Sequence, residues 1–405
     1  MPDLLRIAVV FGLILVCTRL KWNVGYVLLL AAAVLAGLYL MPPSVIGQTV
    51  VSALTDPVTL QFLIALTFIR MVEMVLRENQ VLARMLDAAR IYLKNKKAVI
   101  ISMPMLIGML PSLGGAYFSA PMVAESTKGL KLCAEEKSFI NYWFRHVWEP
   151  FLPLYPALVF AAALSGIELR QLILTNSIYG ILTFITGLLL SMRSIRGHFA
   201  IVPAPESQPD RRDWHILLNF IPLAAILFMV IVLHMRLEYV LVLTVIGLFF
   251  AYRVGLRDII RTFRYGFSKD VIVLIVGVMV FKFALENSGA VQHISRYFAE
   301  QHIPLLPLLF ILPFITGLLT GITMAPVGST FPLLISIAGG VHLSDITFAF
   351  ASGYAGVLLS PVHLCLVLTR EYFKADLMKT YRPIVLSTAV LMAAALVQYY
   401  VLRGL

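Results

Sequence analysis

The chain has 405 residues, 60% hydrophobic and 13% charged, with a formal net charge of +11 and a mean hydropathy of +0.91. A soluble domain carries roughly 25% charged residues, so a soluble fold is excluded. The excess of positive charge then reads as cytoplasmic loop charge, not as a nucleic-acid surface. Cys17, Cys133 and Cys365 are scattered and odd in number, which gives neither a disulfide framework nor a metal-ligand spacing.

A spanning helix needs roughly 20 apolar residues. In chain order, the spans expected in the first half are 3–20, 24–41, 58–77, 138–165 and 171–192. The first is read as a spanning helix and not a signal peptide, because its apolar run is too long and no small-residue cleavage site follows. Those expected in the second half are 214–234, 238–252, 270–288, 343–370 and 383–402. Two more apolar segments, 98–130 and 304–340, carry Gly, Pro and Ser in their middles. Their arms are about 18–24 Å long as helix, too short to cross, so they read as re-entrant hairpins. Segments 79–97 and 254–268 alternate Arg with apolar residues at helical spacing and read as amphipathic helices in contact with membrane lipid, with 289–303 as their outer counterpart. Residues 193–213, rich in Pro and charge, form a cytoplasmic linker.

The halves repeat one another about 208 residues apart. Gly108-Met109-Leu110-Pro111-Ser112-Leu113-Gly114-Gly115-Ala116 and Phe118-Ser119-Ala120-Pro121-Met122 answer to Gly317-Leu318-Leu319-Thr320-Gly321-Ile322-Thr323 and Ala325-Pro326-Val327-Gly328-Ser329-Thr330-Phe331-Pro332. Each is followed by a proline-broken stretch, Leu152–Val159 and Leu359–Val367. The fold expected is an all-α polytopic membrane protein, with an inverted-topology repeat of five spanning helices plus one re-entrant hairpin each. The first repeat is 1–192 and the second 214–405. With both termini outside, 24 Lys and Arg fall in inner loops and 5 outside, as the positive-inside rule requires. Five crossings per half invert the second repeat.

Non-helical backbone at membrane depth survives only when it is buried in protein or lines a polar cavity. Matching copies of it in two halves mark the binding site of a secondary transporter. Ser112, Ser119, Thr323, Ser329, Thr330 and Ser360 offer neutral ligands there, and Gly114, Gly115, Gly321 and Gly328 let a ligand approach the backbone. Small residues also serve close helix packing; paired clusters at matching positions tip the balance to function. Arg145, His146 and Glu149 lie together before Pro150. They read either as a local ion pair at a helix end or as groups that gate the cavity and carry a proton. His363 follows Ser360-Pro361 directly and is a candidate ligand of the second broken segment. Arg70 with Glu73, and Lys282 with Glu286, are expected to pair within their own helices.

These motifs resemble the ion transporter superfamily. More narrowly, Leu110–Gly115 with Ala120-Pro121-Met122, and Ser360–Cys365, are similar to a prokaryotic integral-membrane family, domain of unknown function 401. The resemblance implies an elevator transporter in the cytoplasmic membrane. A scaffold from the first helices of each repeat forms a homodimer, and the hairpins and broken helices carry substrate and coupling ion. Sodium-coupled members place Ser-Asn-Thr at both tips; this chain has Pro111–Gly115 and Gly328-Ser329-Thr330 without the asparagine. The expected solute is a small carboxylate-like anion, since helix N-termini carry partial positive charge and neither tip holds Asp or Glu. Na+ or H+ would couple transport, with no other cofactor and no metal. An uncoupled channel and a lipid-handling protein are the alternatives. No catalytic constellation is present in the sequence, so an enzyme is not expected.

Overall fold

The computed structural model describes residues 2–20, 22–93, 95–111, 115–191, 214–290, 293 and 304–404, and every regular element among them is helical. Ser112 and Gly114, the linker 193–213 and nearly all of 289–303 lie outside the described residues.

In the first half, α1 (Pro2–Arg19) and α2 (Val24–Leu38) are followed by α3 (Pro43–Thr55) and α4 (Pro57–Glu78). Asn23 caps α2 by accepting from the Gly25 N–H at 2.9 Å, and Asp56 caps α4 by accepting from Val58 N–H at 2.7 Å. Pro43 and Pro57 stand at first-turn positions, where the missing N–H is no loss. The surface helix α5 (Val81–Tyr92) precedes α6 (Lys96–Gly108) and α7 (Gly115–Ser126), which pack on each other. Then come α8 (Ala134–Arg145), α9 (Pro156–Ser165) and α10 (Leu169–Ser191).

The second half opens with a 3-10 turn, Trp214–Phe220, then α11 (Ile221–Ile231), α12 (Leu237–Ala251), α13 (Leu256–Gly266) and α14 (Lys269–Asn287). The paired helices α15 (Leu305–Thr320) and α16 (Met324–Ala338) follow. The chain ends with α17 (Leu343–Leu358), α18 (Leu364–Phe373) and α19 (Leu377–Arg403). Helices α4, α10 and α19 are long and apolar enough to cross a membrane, and the chain is a membrane protein.

Several expectations change. Residues 43–55, outside every expected span, form α3; its Gln48, Thr49 and Ser52 interrupt the apolar run. Spans 138–165 and 343–370 are each two shorter helices, interrupted at 146–155 and 359–363. Glu73 pairs with Arg77 at 3.3 Å, not with Arg70, whose guanidinium lies over the Tyr265 ring. Lys282 and Glu286 form no salt bridge among the described residues; Lys282 lies over Phe283.

The packing pairs cross between halves. Helix α2 lies on α14, and α12 on α4; α3 lies on α14, and α13 on α4; α7 lies on α18, and α16 on α9. The α2–α14 crossing is a backbone contact: a Cβ on Gly25 would strike the Val273 carbonyl, and one on Gly277 the Gly25 carbonyl. Such small-residue crossings let helices in lipid gain dispersion energy at close range. Gly277→Val is therefore expected to destabilise the fold by about 1–3 kcal/mol, the usual cost of overpacking. Gly247→Ala, which meets nothing within 4 Å, should be neutral. Thermal unfolding of the two detergent-solubilised variants, read by size-exclusion recovery, checks the contrast; equal recovery would contradict it.

Candidate functional site

The interruptions after α8 and α17 face each other. A helix end leaves carbonyls without intrahelical partners, and at membrane depth each must find one. Here the two broken helices supply them to one another. Tyr142 of α8 donates its hydroxyl to the Leu358 carbonyl at 2.9 Å, and Tyr354 of α17 donates to the His146 carbonyl at 2.7 Å. Other side chains finish the task. Tyr381 donates to Leu359 at 3.0 Å, and the Asn176 amide to Pro150 at 3.2 Å. Tyr155 donates to Gly108 at 2.5 Å, and the Trp148 indole to Met105 at 2.9 Å. The last two tie the first interruption to α6.

Glycines set the approach. A Cβ on Gly108 would overlap the Arg145 carbonyl, and one on Gly317 the Gly353 carbonyl. The first glycine of each repeated motif thus seats its helix, α6 or α15, on the backbone of the next broken helix. Gly321 ends α15 at φ +66°, and a Cβ there would strike the His363 backbone. Both the left-handed conformation and the close approach exclude other residues.

Between these ends lies a buried polar cluster. His146 Nε2 stands 3.1 Å from His363 Nε2, with the two rings near perpendicular at 82°. Glu149 accepts the Thr323 hydroxyl at 2.7 Å, and its other oxygen lies 4.0 Å from His146 Nε2. Arg145, His146, Glu149, His363, Thr323 and Ser360 are all buried. The Ser360 hydroxyl accepts from the Val362 N–H at 3.3 Å and so closes the second interruption. Cys365 stands in the first turn of α18, and one ligand-capable atom from each of His146, His363 and Cys365 falls within 4.8 Å of the others.

The fold thus brings together Arg145, His146, Glu149, Thr323, Ser360 and His363. Other candidates lie elsewhere. Gly328, Ser329 and Thr330 are not at a tip: they sit inside α16, and both hydroxyls bond back within the helix, Ser329 to Ala325 and Thr330 to Pro326 at 2.6 Å. Gly328 faces Val278 and Leu28, a packing role. The second tip is Gly321–Thr323. Gly115 begins α7, and Ser119 is buried one turn on, bonded to Gly115 and Ala116 carbonyls at 3.3 Å. Cys365 was missed, because linear spacing does not show that the second interruption faces the first. Neither tip holds Asp or Glu, as expected, but the first interruption brings the Glu149 carboxylate to Thr323 at 2.7 Å.

Removing either capping hydroxyl leaves a buried carbonyl without its donor, which costs about 1–3 kcal/mol. Tyr142→Phe and Tyr354→Phe should each lower thermal stability by that amount in detergent. A double variant no less stable than wild type would remove the reciprocal caps from the account.

Among proteins with curated functions, none matches the chain. Residues 3–402 match the family described as protein of unknown function (DUF401), and the chain belongs to that family.

Proposed function

We propose that this protein is a secondary active transporter of a small, carboxylate-like anion, coupled to Na+ or H+, with elevator-type alternating access. The observation that carries this is the meeting of two broken helices around a buried cluster of ionisable side chains. Ionisable groups at membrane depth are costly and mark solute or ion paths. Broken helices present N-terminal ends to anions and unwound carbonyls to cations. The beginnings of α9, α16 and α18 adjoin the interruptions, and Arg145 adds a positive side chain. Glu149 with the Thr323 hydroxyl is the place for the coupling cation.

The inverted repeat belongs to the same proposal. Element order supports it: α6–α10 and α15–α19 run in the same sequence, and the packing pairs exchange partners between halves. The re-entrant reading of α6–α7 and α15–α16 rests on their short arms of 12–16 residues and on the charges at their bases, Lys96, Lys97, Lys128 and Lys131 in the first and no Lys or Arg from 304 to 340 in the second. Membership of the ion transporter superfamily, a prokaryotic inner-membrane location and a homodimer through the early helices, which the resemblance implies, belong to the same proposal. A reporter fused after Leu405 should be active only when assayed outside; cytoplasmic activity would overturn the topology.

Proteoliposomes test the function. Acetate, lactate, succinate and citrate, each labelled, are offered under an inward Na+ or H+ gradient. At least one should accumulate against its gradient, and an ionophore should abolish the accumulation. Glu149→Gln and Thr323→Val should each reduce it by about tenfold or more, the scale of losing a hydrogen bond to a charged group. Flux that only equilibrates the solute, with or without gradients, would instead make the protein a facilitator. The absence of flux for every anion, with transfer of labelled phospholipid between leaflets, would favour lipid handling.

A further inference from the structure

We infer that His146, His363 and Cys365 form a binding site for a zinc-class divalent cation at the junction of the two broken helices. The argument starts from the ring hydrogens. His146 Nδ1 lies 2.6 Å from the Tyr142 carbonyl and His363 Nδ1 3.3 Å from the Val357 carbonyl. Carbonyl oxygens only accept, so both Nδ1 atoms carry hydrogen and donate. In neutral rings both Nε2 atoms are then acceptors, 3.1 Å apart across perpendicular rings, and the Cys365 thiol, hydrogen-bonded to His146, can donate to only one of them. Two acceptor nitrogens this close repel, and an electrophile bound by both, with the Cys365 thiolate beside it, would turn that repulsion into binding.

The histidine pair matches a metal site in two respects. Metal-bound histidines donate their second ring N–H to a carbonyl or carboxylate, which fixes tautomer and orientation, and both rings here do so. Two nitrogens about 2.05 Å from a tetrahedral zinc ion stand about 3.3 Å apart, close to the observed separation. The third donor is the Cys365 sulfur, which lies with one ring nitrogen of each histidine inside a 4.8 Å span. A nitrogen-and-thiolate set selects zinc-class ions over Na+, Mg2+ or Ca2+, which prefer oxygen. Cys365 lies in the first turn of α18, where the helix dipole favours a negative ligand. On binding, the thiol proton leaves to solvent and the sulfur pair goes to the metal. Glu149, 4.0 Å from His146 Nε2, stands beside the fourth position and offsets the second charge of the ion. With Arg145 counted, the loaded cluster keeps a positive excess for an anionic solute to neutralise.

The ligands come from both halves, with His146 and His363 separated by 217 residues, so the ion would clamp the two broken helices together. Binding is independent of the transport proposal and is read without any gradient. The full chain in detergent is stripped with EDTA, dialysed against zinc chloride and assayed for metal by mass spectrometry. About one zinc per chain is expected, with His146→Ala, His363→Ala and Cys365→Ser each weakening binding by at least about 100-fold, beyond the loss usual for an outer-shell partner. Cobalt in place of zinc should give a thiolate-to-cobalt charge-transfer band that Cys365→Ser abolishes. His293→Ala, at the exposed His293–Asp3 pair, should leave stoichiometry unchanged. Size exclusion separates loss of ligand from loss of fold; if the histidine variants do not fold, the cobalt band and Cys365→Ser decide alone. Wild-type protein that takes up no zinc, or a charge-transfer band that persists in Cys365→Ser, overturns the site. The former outcome would leave a proton shared between the two rings as the electrophile.

Discussion

The structure depends on one requirement of the bilayer: an interrupted helix must have its carbonyls and N–H groups satisfied without water. An unsatisfied buried backbone group costs a large part of a protein's net stability. The chain meets the requirement by placing two interruptions against each other and exchanging tyrosine hydroxyls between them, Tyr142 to Leu358 and Tyr354 to His146. Neither half could do this alone. The His146 carbonyl lacks its donor until the second half supplies Tyr354, and the Leu358 carbonyl until the first half supplies Tyr142. Burial of Tyr142 and Tyr354 follows from that mutual service, and so does the depth at which the histidines sit.

How much of this was legible in the sequence depended on what each residue does locally. The helices were readable from apolar runs, and the interruptions from Gly, Pro and hydroxyl residues inside those runs. Their positions were less so. The resemblance puts the second tip at Gly328–Thr330, but Pro326 occupies the first turn of α16, where a proline is tolerated, and the break falls seven residues earlier, at Gly321–Thr323. Ser329 and Thr330 looked like open ligands. In a helix, however, a hydroxyl has its own carbonyl four residues back as a partner, and both take it. Gly108 and Gly317 carried the repeat in the sequence; in the fold they carry contact between backbones.

The ionic side chains show the same limit. Spacing alone allows Glu73 to pair with a residue three before or four after it, and the helix chose Arg77, while Arg70 turned to an aromatic face. Sequence spacing described which groups share a helix face, not which neighbour outside that helix competes for them. For Glu149 the competitor was Thr323, 174 residues away. For Cys365 it was a histidine in the other half, and no count of residues between cysteines could have shown it.

These contacts also constrain how an elevator of this architecture would move. Separating α8–α9 from α17–α18 would strip both tyrosine caps and the Asn141–Thr369 bond of 2.8 Å, each hydrogen bond worth about 0.5–1.5 kcal/mol net. The two broken helices therefore belong to one body. The α2–α14 crossing, with Gly25 and Gly277 in backbone contact, is equally unable to slide without collision. The surfaces between these two assemblies are of a different kind. Phe62 of α4 meets Phe160 of α9 at 4.6 Å between ring centroids, and Gly328 of α16 meets Val278 of α14 and Leu28 of α2. Apolar contact is non-directional and so has no fixed partner to lose when one surface is displaced along the other. In the proposed transporter, motion would run along that apolar boundary, with the hydrogen-bonded cluster carried whole.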